Sequence, residues 1–293
     1  PGASTVNDLA TAVAKRSRHA DPQALSNTLW ALSQPKLHWY DAHQIPVLVA
    51  ALAQHTRSPA ATAQNFSNAL QALGAPKGSL RWYNADLYSQ LVEGVVLKIS
   101  SSAPEALGQH FSNTMFSCAL SCHFDSNLDK LAEWGSQQDL HCWTGQALSN
   151  SLFAWAVLSA TAGGDTASMQ KFAQHLFAEA NRQGGAAFQA DPDWRHDMGK
   201  LFSAHQEALH VCLPGGGVSD GELLRLVLEA NGQFRKQVGE DLSHVTAAVS
   251  AALQGAYEVQ ASLIEGYNAL LVDHPSCQRG VVLAITHPQR DFM

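Results

Sequence analysis

Gln23-Ala24-Leu25-Ser26-Asn27 decides the fold, because three later stretches repeat it: Gln64-Asn65-Phe66-Ser67-Asn68, Gln109-His110-Phe111-Ser112-Asn113 and Gln146-Ala147-Leu148-Ser149-Asn150. All four have the form Gln-x-[Leu/Phe]-Ser-Asn, and their glutamines at 23, 64, 109 and 146 stand 41, 45 and 37 residues apart. A period near 40 has room for two helices and a turn and is too short for a domain. Each copy runs on in the same pattern. Leu25, Leu29 and Leu32 match Phe66, Leu70 and Leu73, then Phe111, Met115 and Cys118, then Leu148, Leu152 and Trp155. That i, i+4, i+7 stripe is the buried face of an amphipathic helix. The period and the stripe together predict an all-α chain, an α-solenoid of stacked helical hairpins with repeats of about 38–45 residues.

The other face of the same helix is also patterned. Gln23 and Asn27, with their equivalents, lie one turn apart on it, and three residues past each Asn comes Trp30, Gln71, Phe116 or Phe153. A constant amide is thus coupled to a variable, mostly aromatic slot.

Second helices recur in register. After Pro35 the stretch Leu37-His38-Trp39-Tyr40-Asp41-Ala42 opens a helix through Val47, Leu48 and Leu52. After Pro76, Leu80-Arg81-Trp82-Tyr83-Asn84-Ala85 opens one through Leu87, Leu91 and Val95. Asp41 and Asn84 suit matching N-caps. The third repeat pairs with a run from Asp125 through Leu128, Leu131 and Trp134, the fourth with a helix near 166–182. Residues 1–20 read as a helical lead-in. Gly184-Gly185 and Pro192 mark a boundary, so residues 1–190 form the repeat region. Residues 191–255 read as helical cap and connector, with Leu201–Leu209 a degenerate helix closing the array and further helices at about 219–231 and 241–254. In 256–293, residues 267–273 and 280–286 are short apolar runs that read as strands in a small α/β element.

Composition narrows the classes. With 46% apolar and 15% charged residues the chain is a folded protein, and its net charge of −7 argues against broad, charge-driven nucleic-acid binding. A local basic groove is still open to it, since Lys15, Arg16 and Arg18 precede the first repeat and Lys36, Lys77 and Arg81 sit in its turns. Five cysteines without regular spacing argue against a disulfide framework. No run of about 18 apolar residues is present, so no membrane role is expected. The start at Pro1 suits removal of an organelle transit peptide.

The copies of Leu25-Ser26-Asn27-Thr28-Leu29-Trp30-Ala31-Leu32, with Trp39 and Trp82 at the entries to second helices, resemble the octotricopeptide repeats, a family of organellar RNA-binding solenoids numerous in green algae. The resemblance covers residues 20 to 182. Leu201–His205, Leu213-Pro214-Gly215-Gly216 and Val281–Pro288 resemble the segment leading into a RAP domain, a module often joined to such repeats. RAP modules resemble nuclease folds with acidic side chains on paired strands. Ala284 and Thr286 stand where that pattern has acids, and only Asp273 is left, so the tail reads as a degenerate, non-catalytic remnant.

The resemblance implies that first helices line a concave surface reading about one base per repeat. The candidate RNA-binding residues are Asn27, Trp30, Asn68, Gln71, Asn113, Phe116, Asn150 and Phe153: amides pair with base edges, and a ring stacks on a base for ~1–3 kcal/mol. The same residues have a structural reading, in which the asparagines ladder between neighbouring repeats and the rings fill the seam. Lys36, Lys77 and Arg81 are candidates for phosphate contacts that position a strand without reading it, or else exposed turn charges. Cys118, Cys122, His123, His141 and Cys142 raise a zinc site, but Cys118 occupies the slot of Leu32, Leu73 and Trp155 and reads as core. No metal, cofactor or catalytic residue is expected.

The sequence therefore leads to a non-enzymatic RNA-binding protein of an organelle, the mitochondrion ahead of the chloroplast. Its acidic balance favours a fixed place in a ribonucleoprotein such as the organellar ribosome, holding single-stranded or irregular ribosomal RNA among other proteins. The alternatives are a free maturation, stability or translation factor for one mRNA, and a protein-binding scaffold. Neither DNA nor a membrane is an expected partner.

Overall fold

The computed structural model describes residues 3–34, 43–74, 80, 82–161, 163–192 and 194–231, together with three strands between 258 and 284. The helices are α1 (Ala3–Arg16), α2 (Pro22–Leu32), α3 (Ile45–Ala53), α4 (Ala63–Gly74), α5 (Ala85–Lys98), α6 (Pro104–Leu120), α7 (Ser126–Gly135), α8 (Gly145–Thr161), α9 (Ala167–Gln189) and α10 (Trp194–His210). A further helix, α11, occupies 221–231.

They pack in two layers. In the first, α2 lies on α4, α4 on α6, α6 on α8 and α8 on α10; in the second, α3 lies on α5, α5 on α7 and α7 on α9. Each first helix also meets the second helix of its own pair. The repeated stripe is the reason, since all twelve of its residues, from Leu25 to Trp155, are at most 4% exposed. Removing that apolar surface from water drives the stacking. One contiguous core runs from Ala10 to Ala230.

Caps start the second helices where short polar side chains stand. Asn84 Oδ1 accepts from the Leu87 N–H at 3.0 Å, and Asp125 Oδ1 from the N–H groups of Asn127 and Leu128 at 3.0 and 2.8 Å. Thr166 Oγ1 accepts from the Met169 N–H at 3.2 Å. The expected opening of the first second-helix, with Asp41 as its cap, lies outside the described residues; α3 begins at Ile45 after Gln44, which makes no capping hydrogen bond.

At Gly184-Gly185, where the sequence suggests a boundary, the chain kinks and continues. Gly184 has φ 69° and ψ 177°, a region open only to glycine, and α9 resumes beyond it to Gln189. Both layers carry on past residue 190. α10 packs on α8, while Asn181 of α9 accepts from the N–H groups of Ser219 and Asp220 at 2.8 and 3.0 Å and so holds the start of α11. The helix expected at 241–254 lies outside the described residues.

Three strands, β1 (Glu258–Ile264), β2 (Tyr267–Asp273) and β3 (Val281–Ala284), form an antiparallel sheet in the order β1-β2-β3. β2 covers the first stretch read as a strand, and β3 covers part of the second. The register sets Asp273 opposite Glu258, an acid the sequence reading did not single out, and Ala284 opposite Ala269. Thr286 lies outside the described residues.

Candidate nucleic-acid interface

The repeated serine, read only as part of a signature, lies buried where first helices meet, and in three of the four copies it contacts the next one. Ser26, Ser67, Ser112 and Ser149 are all at most 2% exposed; the first three hydroxyls donate to the carbonyl of the motif's own glutamine, three residues back, and Ser149 Oγ lies 3.1 Å from the equivalent Gln146 carbonyl. A small residue there lets the next helix approach, and that helix presents the variable residue of its own motif. Asn65 Nδ2 donates to Ser26 Oγ at 3.5 Å, Ser67 Oγ meets His110 Nδ1 at 3.5 Å, and Ser149 Oγ donates to Asp197 Oδ1 at 2.9 Å.

That last contact exposes a fifth copy. His196-Asp197-Met198-Gly199-Lys200 stands where the others have Gln-x-[Leu/Phe]-Ser-Asn, with Met198 and Phe202 on the buried stripe. Its step from Gln146 to His196 is 50 residues, outside the range of the earlier steps, and three signature residues are replaced, Gln by His196, Ser by Gly199 and Asn by Lys200, with Met198 at the Leu/Phe place. The usable signal was the apolar spacing of Met198 and Phe202, four residues apart like Leu148 and Leu152.

The opposite edge of the first layer brings most of the polar and aromatic candidates together. Asn113 Nδ2 donates to Gln71 Oε1 at 3.2 Å, joining α6 to α4. Phe116 and Phe153 meet with ring centroids 5.7 Å apart, joining α6 to α8. Lys200 Nζ donates to Asn150 Oδ1 at 2.6 Å and to Asp197 Oδ1 at 3.2 Å, and lies 5.5 Å from the centre of the Phe116 ring. A line of amide, ring, ring, amide and ammonium thus crosses four helices. It is partly recessed: Gln71 is exposed, the two rings are half-buried, and Asn113 and Asn150 are each 8% exposed. Nearer the start, Asn27 and Trp30 are exposed, Asn68 is half-buried, and neither asparagine side chain hydrogen-bonds to another described residue. Lys36, Lys77 and Arg81 lie outside the described residues.

From Gln71 onward the candidate side chains therefore ladder between neighbouring repeats, and each bonded amide has one end engaged in the inter-repeat bond. Burial pushes the Asp197 carboxyl up, against the pull of Lys200 and the hydrogen bond from Ser149. Its Oδ2 is buried without a hydrogen-bond partner among the described residues.

The cysteines and histidines scatter. Cys118 is fully buried and its thiol is pushed well up by that burial, whereas Cys122, Cys142 and Cys212 are exposed free thiols. His123 meets the Tyr83 hydroxyl at 3.0 Å, while His141 Nδ1 accepts from Arg182 at 3.0 Å on another loop. Among the described residues no three His, Cys, Asp or Glu side chains gather to hold a metal ion, and no helix is long and apolar enough to cross a membrane.

No family model, curated protein or solved structure matches the chain.

Proposed function

We propose that the chain is a non-enzymatic, RNA-binding α-solenoid of the octotricopeptide type with a degenerate RAP-like tail. It serves as a component of an organellar ribonucleoprotein, the mitochondrial ribosome first, where it holds single-stranded or irregular ribosomal RNA. The observation that carries this reading is the line from Gln71 to Lys200, in which α4, α6 and α8 offer amides and rings and α10 an ammonium. Amides and rings are the side chains that meet unpaired bases.

The charge distribution supports a shared place in an assembly. α2, α4, α6 and α8 contain no Lys or Arg, and Glu105 is their single charged residue. A strand lying there meets base-reading groups and few phosphate partners, so neighbouring proteins neutralise much of its backbone.

Crosslinking in intact organelles, followed by purification, sequencing of attached RNA and sedimentation, tests the reading. A dominant ribosomal-RNA footprint with co-sedimentation at ribosomal size is the expected result. Footprints on a few mRNA ends would replace it with a free mRNA factor, and no RNA above background would replace both with a protein scaffold.

A further inference from the structure

The fifth copy differs from the other four at one chemically decisive place. Where they carry Asn27, Asn68, Asn113 and Asn150, it carries Lys200, among the described residues the one side chain with a full positive charge that contacts the line described above. Lysine only donates hydrogen bonds, so its 2.6 Å contact to Asn150 must engage the amide oxygen, and the Asn150 Nδ2 end is left with both protons uncommitted among the described residues. The Lys200 ammonium has three protons and gives two of them, to Asn150 and Asp197. Its side chain is 17% exposed and lies beside Phe116 and hence Phe153. The junction of α8 and α10 is therefore a slot rich in donors and flanked by aromatic rings, in which the Asn150 oxygen is engaged by Lys200.

The Gln71–Asn113 pair at the junction of α4 and α6 is chemically different. Two amides bonded to each other leave one oxygen and one NH2 group outward, whichever way they are turned. That mixed slot tolerates a base edge carrying a donor.

We propose that Asn150 and Lys200 form a guanine-selective slot, taking the O6 and N7 acceptors of one guanine in a single RNA strand, with the ring stacked beside Phe153; this rests on the RNA-binding reading above. Guanine is the base whose N7–C6 edge presents two adjacent acceptors. Adenine carries an amino donor at the same place, and cytosine carries one at N4. Asp197 offsets the lysine charge, so the ammonium acts as an aimed donor more than as a bare attraction for phosphate.

The test is selection of single-stranded RNA from a randomised pool on the purified chain, repeated with Lys200→Met, Lys200→Arg and Asn150→Ala. The wild-type chain is expected to enrich guanine at one position. Lys200→Met should flatten that position, leave the others unchanged and weaken binding of the selected RNA about tenfold, within what one good paired contact discriminates. Lys200→Arg, which still donates, should keep the guanine, and Asn150→Ala should weaken the preference. Replacing that guanine by 7-deazaguanine should weaken the wild-type complex and leave the Lys200→Met complex unaffected. Because Lys200→Met strands the Asp197 carboxylate, the Asp197→Asn/Lys200→Met chain is measured beside it and should show the same flattened position. Guanine retained by Lys200→Met, or a wild-type motif indifferent between guanine and adenine at every position, would overturn the slot while leaving RNA binding intact. A wild-type chain that selects no RNA would overturn the RNA reading itself, and the slot with it.

Discussion

The two layers are built from the same hairpins and solve different problems. First-layer helices α2, α4, α6 and α8 carry one charged residue among them, Glu105, and are spaced by buried serines that meet a polar or small residue on the next helix. Second-layer helices α5, α7 and α9 carry three charged residues each and are tied through their starts. Asp125, the cap of α7, accepts from Ser89 of α5, and Thr166, the cap of α9, donates to Asp129 of α7. From α4 to α9 charge is thus concentrated in the second layer, while the first layer presents neutral amides and rings; α3, with no charged residue, and α10, with four, stand outside that division. The difference teaches that nearly uncharged first helices belong to the four signature copies, whereas the fifth, α10, brings Arg195, Asp197, Lys200 and Glu207 into the same layer.

The largest expected effect comes where the layers join. Phe111 of α6 packs against Phe172 of α9 and Trp143, with ring centroids 4.8 and 5.2 Å apart, and is fully buried. Phe111→Ala should cost about 3–5 kcal/mol in urea or thermal unfolding. A loss under about 1 kcal/mol would mean that the layers do not depend on this joint.

Next comes the second layer's tie. Asp125 caps α7, accepts from Ser89 and faces the buried His123. Asp125→Ala should cost about 2–3 kcal/mol, a lost cap plus a lost charged hydrogen bond. Burial pushes the Asp125 carboxyl up, but the His123 imidazole 3.6 Å away and hydrogen bonds from Ser89 and the Leu128 N–H outweigh it and hold the group down at about 2. Its folded value is depressed, so its contribution is complete above the ordinary carboxylate value near 4 and is lost as pH falls from there toward about 2. Acid-unfolding curves of Asp125→Asn should lack that component, and a wild-type-like slope over the window would contradict it.

A smaller pair of measurements sharpens the comparison within the first layer. Ser149 Oγ donates to the buried Asp197 carboxylate, so Ser149→Ala should cost about 1.5–2 kcal/mol. Ser112 has as its side-chain partner only the Gln109 carbonyl of its own helix, because the residue at the facing motif position is Ala147. Ser112→Ala should therefore change stability by less than about 0.5 kcal/mol. Equal losses would show that the serines act by size alone.

What was readable in advance follows from the range of each interaction. The stripe from Leu25 to Trp155 and the caps at Asn84 and Asp125 are set by spacings of three or four residues along one chain, so the sequence displays them directly. The partner of Ser149 lies 48 residues away, and the bonds of Asn113 to Gln71 and of Lys200 to Asn150 span 42 and 50. Such pairs depend on how two helices are spaced and rotated, which no local pattern encodes. The fifth copy was hidden for a related reason. The fold keeps Met198 and Phe202 on the stripe and lets the signature residues at 196, 199 and 200 change.

The smallest effect tests where the first layer ends. In four copies the motif serine is buried by the next helix, but in the fifth its place is taken by Gly199, which is exposed and has nothing within 4 Å of where a Cβ would stand. Among the described residues, then, no helix follows α10 in that layer. A glycine inside an uncovered helix costs about 0.8–1.0 kcal/mol relative to alanine through backbone entropy. Gly199→Ala should accordingly stabilise the chain by roughly 0.5–1 kcal/mol, read as a higher melting temperature. A helix closely packed on α10, as the next copy is packed on each of the four serines, would meet the added methyl and turn the gain into a loss. The sign of this one substitution therefore separates an array that stops at α10 from one that continues, and Gly199→Leu would enlarge any such loss.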